Sequence, residues 1–380
     1  MRARLRGTRA LAIAATALVL AGTAAAAVLP LTSNDAALTP LPLADRVGVN
    51  VPNVATTGVP ATYGRTILAD DGIRLFRDTL DPSNTFPSAR KGPNWTYVDR
   101  TVRFVKNVPG GQLLPLIVDS PRWQHRGCKA RPSYKCAPGR AHYRTWANEV
   151  KRIIRHVTAA GVAVPEIEYW NEPYCCGFWL PRSSPAAYVA LLRTLAPTLW
   201  AAYPKLKIAV SANYWQEGTT CSARPCPQWF RRVLAADKTG LLDDPRIVFT
   251  THNYVLAAPP SAALATGWSF VRYRIARDQA VRHGKVDPRF EITEYGWEAS
   301  SGTVVFGDPV SEEQQALYTT QAAHLALTDP CACVDRVFVF DDYKGHSRLG
   351  NAHGYNMHRP DGTARPVAAA VKAYIRAGTP

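Results

Sequence analysis

The 380-residue sequence shows no internal repeat at a period of 20–50 residues, which argues against a solenoid. It contains no GxGxxG turn and no Walker A sequence, so the common dinucleotide and nucleotide-phosphate cradles are missing. Its 45 Lys and Arg form no long basic run, and aromatic residues do not interleave with them, so a nucleic-acid platform is not expected. None of its eight Cys has C-x₂-C spacing and the His residues lie elsewhere, which argues against a zinc site; no metal or cofactor is expected. Beyond residue 31 there is no stretch of 18 apolar residues, so no integral membrane segment is expected after processing. Charged residues make up only 19% and hydrophobic ones 47%, a balance that excludes a disordered or fibrous chain and supplies a sizeable core.

What is present begins with a leader. Arg2, Arg4, Arg6 and Arg9 precede the apolar stretch Leu11–Leu20, and Ala24–Ala27 offers a small-residue cleavage pattern. Residues 1–27 therefore read as a signal peptide, and 28–45, rich in Pro, Ala and Leu, as a leader or linker. The expected location is secreted, extracellular or in the cell envelope. The net charge of +16 falls to +12 without the four leader Arg; a basic body either favours acidic polysaccharides, cell-wall polymers or membrane surfaces as partners or serves solubility alone. In an exported protein, an even number of Cys points to disulfides. Cys128–Cys136 and Cys221–Cys226 are spaced for local bridges, whereas Cys175, Cys176, Cys331 and Cys333 leave the pairing open.

From Arg46 onward, a short apolar strand, a polar or aromatic loop and a helix recur. The expected strands are Val47–Val51, Ile73–Phe76, Leu113–Val118, Glu166–Trp170, Lys207–Ser211, Ile247–Thr251, Phe290–Thr293 and Val337–Phe340. The expected helices are Tyr63–Asp70, Tyr97–Asn107, Thr145–Ala160, Ser184–Tyr203, Pro227–Lys238, Ser269–His283, Ser311–Leu327 and Arg365–Ala377. Val150, Ile153, Ile154 and Val157 make a 3.6-period stripe, Ser184-Pro185 an N-cap with Pro at N1, and Ser311-x-x-Gln314 a capping box. Eight alternations predict an α/β fold, a (β/α)₈ TIM barrel over residues 46–380.

In such a barrel, chemistry gathers where strands end. Glu172 and Glu294 follow the fourth and seventh apolar strands, on opposite sides of the expected mouth, each with aromatic neighbours. Two opposed carboxyls are what glycoside hydrolysis requires, one protonated to assist the leaving oxygen and one ionised to attack or to activate water. Arg77, with a permanent and planar charge, is placed to hold Glu294 ionised.

Trp170-Asn171-Glu172-Pro173, the segment Phe290–Gly296, Arg77, the His252-x-Tyr254 pair and the tail around His353-Gly354-Tyr355 and Asp361–Pro366 together resemble the retaining glycoside hydrolases of the (β/α)₈ superfamily called clan A. The group includes cellulases, β-mannanases and β-xylosidases, and the likeness spans about Arg46 to Ile375. The resemblance implies Glu172 as acid/base, Glu294 as nucleophile, Asn171 at the sugar 2-hydroxyl, Arg77 and Tyr254 at the nucleophile, and His252 in the site. It implies a carbohydrate substrate and no cofactor. A transglycosylase sharing the covalent intermediate, or a non-catalytic carbohydrate-binding protein, is the alternative. Many members end strand eight in Trp, where this chain has Phe340-Asp341-Asp342-Tyr343. Trp215 and Trp297 are candidate sugar platforms, and Asp119, Asp341 and Asp342 candidate hydroxyl binders. Arg122, Arg182 and Arg348 are candidates for recognising an acidic group. Glu168 is expected to be structural, with a partner such as Arg74, and Glu291 to point to the helix layer or cap its strand.

Overall fold

A computed structural model of the chain describes residues 41–51, 68–125, 128, 135–174, 177–213, 220–221, 224–225, 228–262, 269–302, 304, 308–342, 354–359 and 362–378. The signal peptide, most of the leader and most of the helix expected at Tyr63–Asp70 lie outside the described residues. So do Trp215, Arg348, His353, Cys175, Cys176 and Cys226.

Eight parallel strands close into a barrel: β1 (Val47–Asn50), β2 (Leu75–Thr79), β3 (Gln112–Ile117), β4 (Glu166–Tyr169), β5 (Lys207–Ser211), β6 (Ile247–His252), β7 (Phe290–Tyr295) and β8 (Val334–Val339). Each pairs with its neighbours in sequence, and β8 returns to β1 with Val47 opposite Val337. Among the described residues, the helices of two turns or more are α1 (Thr96–Lys106), α2 (Tyr143–Ala159), α3 (Pro185–Trp200), α4 (Trp229–Ala236), α5 (Tyr273–Arg282), α6 (Glu312–Leu327) and α7 (Pro366–Arg376). Among the described residues, no helix is long and apolar enough to cross a membrane.

Local signals act as read. The α2 stripe Val150, Ile153, Ile154 and Val157 is fully buried. Ser184 caps α3 by accepting from the Ala187 N–H at 3.2 Å, and Ser311 and Gln314 complete both halves of the box on α6. The folded body begins before residue 46, because Leu43–Asp45 forms a 3₁₀ turn with Leu43 buried and the Asp45 carboxylate accepting from Arg74 and Gln112.

Gly48 makes room inside the barrel. A Cβ there would come within 2.6 Å of the Phe338 ring and 2.8 Å of the Leu75 carbonyl. Below this layer, Arg336 of β8 extends Nη1 to Glu166 of β4 at 3.2 Å and to Glu291 of β7 at 3.3 Å. All three are buried. Glu291 therefore faces the barrel interior rather than the helix layer. Past Ile292 the strand bulges: Thr251 pairs with Ile292 but His252 with Glu294, and Val337 with Ile292 but Val339 with Tyr295. Glu291 and Thr293 point inward by ordinary alternation, and one extra residue in β7 then turns Glu294 inward as well.

The tail before α7 is tied down by a buried histidine. His358 Nδ1 lies 3.1 Å from Asp342 Oδ1 after β8, and Nε2 lies 3.3 Å from Asp71 Oδ2 before β2. Asp342 is fully buried in this contact, so it anchors the tail instead of binding sugar hydroxyls. Burial alone would lower the imidazole, but the two aspartates outweigh it and raise His358 to about 9. The folded state thus holds this proton more tightly than the unfolded chain does, whose His titrates near ~6.5. The clamp's contribution is complete below pH ~6.5 and is lost as pH rises through about 9, about 3 kcal/mol at most. Urea titrations from pH 6 to 10 should show this slope in the parent and a flatter one in His358→Ala. Equal slopes would remove the clamp from the account.

Candidate active site

The site stands at the ends of β1, β2, β4, β6 and β7. Arg77 on β2 is its hub. Its Nη1 donates to Glu294 Oε1 at 2.8 Å and to Asn50 Oδ1 at 2.7 Å, its Nη2 to Asn171 Oδ1 at 3.0 Å, and its Nε to Glu168. The partner of Glu168 is thus Arg77 and not Arg74, which pairs with Asp45 instead. Every polar atom of the fork is in use, so its plane is fixed.

Glu172 and Glu294 are brought together. One carboxyl oxygen of each, with a ring nitrogen of His252, lie within 4.8 Å of one another. Tyr174 donates to Glu172 Oε1 at 3.0 Å, and His252 Nδ1 lies 2.8 Å from the same oxygen. Tyr254 donates to Glu294 Oε2 at 2.8 Å, and His252 Nδ1 is 3.4 Å from that oxygen. The imidazole therefore sits between the two carboxyls. Beneath them, Glu168 accepts from Thr293 Oγ1 at 2.9 Å and lies 3.9 Å from His252 Nε2.

The backbone is strained where it delivers these groups. Trp170 has φ +70° and Glu172 φ +40°, left-handed values that a bulky side chain adopts only when its surroundings hold it. Trp170 is so held, fully buried among Trp146 and Trp179 with its indole N–H donated to the Phe178 carbonyl.

Electrostatics follow the contacts. Burial works against charge on Glu168, yet the Arg77 charge and hydrogen bond, with the His252 ring close by, bring it down to about 2. His252 is opposed by burial, but Glu294, Glu168 and Glu172 raise it to about 10. Glu172 is likewise opposed by burial, and His252, then Tyr174, hold it below its ordinary value. Glu172, His252 and Glu294 are also a possible ligand set for a cation. A cation there would have to displace the proton of His252 and face the Arg77 charge. Among the described residues the other cluster with ligand chemistry, His125 with Cys128 and Cys136, has both sulfurs in a disulfide.

Other expected site residues lie elsewhere. Trp297 is 1% exposed, with its indole N–H given to the Ala258 carbonyl and its ring against Tyr295 and Tyr318. It packs the wall and offers no face to a sugar. Asp341 is also wholly buried, its backbone bonded to Tyr355 and Met357. Asp119 accepts the N–H groups of Ser120 and Cys136 and so anchors the loop of the Cys128–Cys136 disulfide. The second disulfide among the described residues is Cys331–Cys333. Among the described residues, Phe340 at the end of β8 is half-buried and stands edge-to-face with Tyr254 at 5.9 Å and Tyr355 at 5.6 Å.

Three contributors were missed in the sequence. Asn50 ends an apolar strand, a polar residue that could have flagged it; its amide donates to the carbonyls of Thr293 and Val339. Tyr174 lies two residues beyond Glu172 but had no motif of its own. Asn213 accepts the His252 backbone N–H at 2.8 Å, and nothing local signals that contact.

No family model matches the sequence, and no curated protein matches it. Solved structures do share its fold. A family 39 glycoside hydrolase from Bacteroides cellulosilyticus WH2 superposes with TM-score 0.62 at 16% identity, over 87% of this chain and 64% of that one. A monomeric β-xylosidase from Caulobacter crescentus CB15 gives 0.62 at 16% identity, over 88% and 68%. Fungal β-1,4-galactanases give 0.58 at 16% identity, over 87% and 99%. The barrel is thus of the class that glycoside hydrolases use, and this chain spans less than two thirds of the first relative's length.

Proposed function

We propose that the chain is a retaining glycoside hydrolase, with Glu172 as acid/base and Glu294 as nucleophile. The observation that carries this reading is the approach of the two carboxyls to within 4.8 Å. Retaining enzymes hold the pair about 5–5.5 Å apart, whereas inverting ones need about 6.5–9.5 Å to admit a water between them.

Proton accounting supports the roles. Glu172 has a low pKa because its neighbour His252 holds a proton. The cluster as a whole carries that proton, and across 2.8 Å it passes from Nδ1 to Oε1 without any gain or loss. Glu294 attacks C1 as the glycosidic oxygen takes the proton from Glu172. The ester that forms has no charge on Glu294, and the largest influence raising His252 disappears with it. Water then gives its proton to Glu172 while its oxygen attacks C1, which releases Glu294 and restores the cluster. Asn171 faces the site as a donor to the sugar 2-hydroxyl, with its oxygen fixed by Arg77.

The leader, together with two disulfides among the described residues, supports export into an oxidising compartment. The relatives act on different sugars by their names, so the substrate is proposed only as a carbohydrate.

The test uses aryl glycosides. In Glu172→Ala, cleavage of substrates with poor leaving groups should fall by about 10²–10⁴-fold, while glycosylation by a dinitrophenyl glycoside, whose leaving group needs no proton, should persist. Equal loss on both would remove Glu172 as the acid. The first-formed product should have the substrate's anomeric configuration by ¹H NMR, and inversion would end the double-displacement reading.

A further inference from the structure

On the flank of the barrel's mouth end lies a cavity of about 290 Å³ that shares no lining residue with the carboxyl cluster. Its walls come from the loop after β2, the turn after β3 and the first half of α2. The volume is at the lower edge of the ~300–1,000 Å³ typical of small-molecule sites, suited to one monosaccharide-sized unit.

The floor and one wall are aromatic. Phe86 is buried, and Trp123 is half-buried with its indole N–H already donated to the Phe86 carbonyl at 3.0 Å. What Trp123 has left to offer is ring surface, the kind of face a pyranose stacks on. Asn148 and Ser88 add hydrogen-bonding groups.

The charged lining is lopsided. Arg152 is exposed, with its guanidinium carbon 4.8 Å from the Phe86 ring centroid, a cation–π contact that favours this orientation over the cavity. Lys91 is exposed on the opposite loop. Neither is in an ion pair among the described residues. The carboxyl in the lining, Glu149, is buried and accepts from Gln124 at 2.6 Å. Burial, offset in part by Gln124 and Arg152, raises it to about 7, so near neutral pH it cancels only part of the positive charge. A neutral sugar would leave this surplus unanswered, whereas a carboxylated sugar presents a ring to Trp123 and an anion to Arg152 and Lys91.

We propose that this cavity is a second saccharide site taking a single anionic sugar unit of the uronate class. It would hold an acidic polymer or side chain beside the catalytic mouth. The reading is independent of Glu172 and Glu294 and takes only its sugar class from the proposed function.

The full chain carrying fluorotryptophan is titrated with sodium glucuronate, glucose and sodium acetate at constant ionic strength, and the Trp123 resonance, assigned with Trp123→Phe, is followed by ¹⁹F NMR. Glucuronate should shift it saturably, with glucose and acetate each at least tenfold weaker. Arg152→Leu and Lys91→Ala should each weaken glucuronate severalfold with unchanged melting temperature, and Glu294→Ala should bind like the parent. No saturable shift, equal response to glucose, an equal response to acetate, or parent-like binding in both cation variants would each overturn the proposal. Because Glu294→Ala is included, loss of the catalytic reading and loss of this one are separately visible.

Discussion

Glu294→Ala is expected to reduce glycoside turnover by about 10⁴–10⁶-fold, the scale on which loss of a nucleophile acts. The fold should survive, because Arg77 keeps Glu168, Asn50 and Asn171 as partners when Glu294 is removed. Sodium azide should restore part of the rate by entering the space left by the carboxyl, and the glycosyl azide formed should have inverted configuration, since one displacement then replaces two. The measurement is turnover of an activated aryl glycoside with and without azide, with product configuration by NMR. Parent-like hydrolysis by the variant would reject Glu294 as the nucleophile. An impaired variant whose azide product retains configuration would mean that the covalent intermediate still forms, and would likewise reject Glu294 as the nucleophile.

The second large effect is on stability. Arg336→Met should cost about 3–5 kcal/mol, because it strands Glu166 and Glu291 in the barrel floor with no cation between them. Burial, then the Glu291 charge, already raises Glu166 well above its ordinary value, and burial raises Glu291, despite Arg336. Without the arginine, both must take up protons or leave the interior. The loss should therefore grow as pH rises through the range where the two carboxyls would ionise. Arg336→Met combined with Glu166→Gln and Glu291→Gln should recover much of the stability, since no buried charge then lacks a partner. Urea unfolding of the three proteins at pH 5 and pH 8 decides the matter. A single variant within about 1 kcal/mol of the parent at both values would show that water or Lys207 already serves the floor.

The particular residues show where reading from sequence succeeds. The stripe on α2, the Ser184 cap and the Ser311 box rest on contacts three or four residues apart, and such contacts are written in adjacent letters. Strand ends were also legible, since each apolar run stops at polar or aromatic residues, and this placed Arg77, Asn171, Glu172, His252, Tyr254 and Glu294 at one end of the barrel. Direction was not legible. Trp297 and Phe340 are both aromatics at strand ends, but Trp297 turns into the wall while Phe340 stands at the mouth. Asp341 and Asp342 look like a rim pair and are both buried. Glu291 was assigned to the outer face by alternation with Ile292; the two do alternate, but it is Glu291 that faces the interior, and only the bulge beyond Ile292 lets Glu294 face inward too.

Alone, the order of residues determined the eight-fold beat, the helix caps and the chemical types gathered at the strand ends, because propensity, periodicity and capping act over a few neighbouring positions. Only the closed barrel decided which carboxyls meet. Glu172 and Glu294 are 122 positions apart in the chain, and their approach, the seat of His252 between them, and the division of Arg77 among Glu294, Asn50, Asn171 and Glu168 depend on ring closure and on one extra residue in β7. No local rule could have supplied these, since each is a distance between groups that the chain brings together only when it folds.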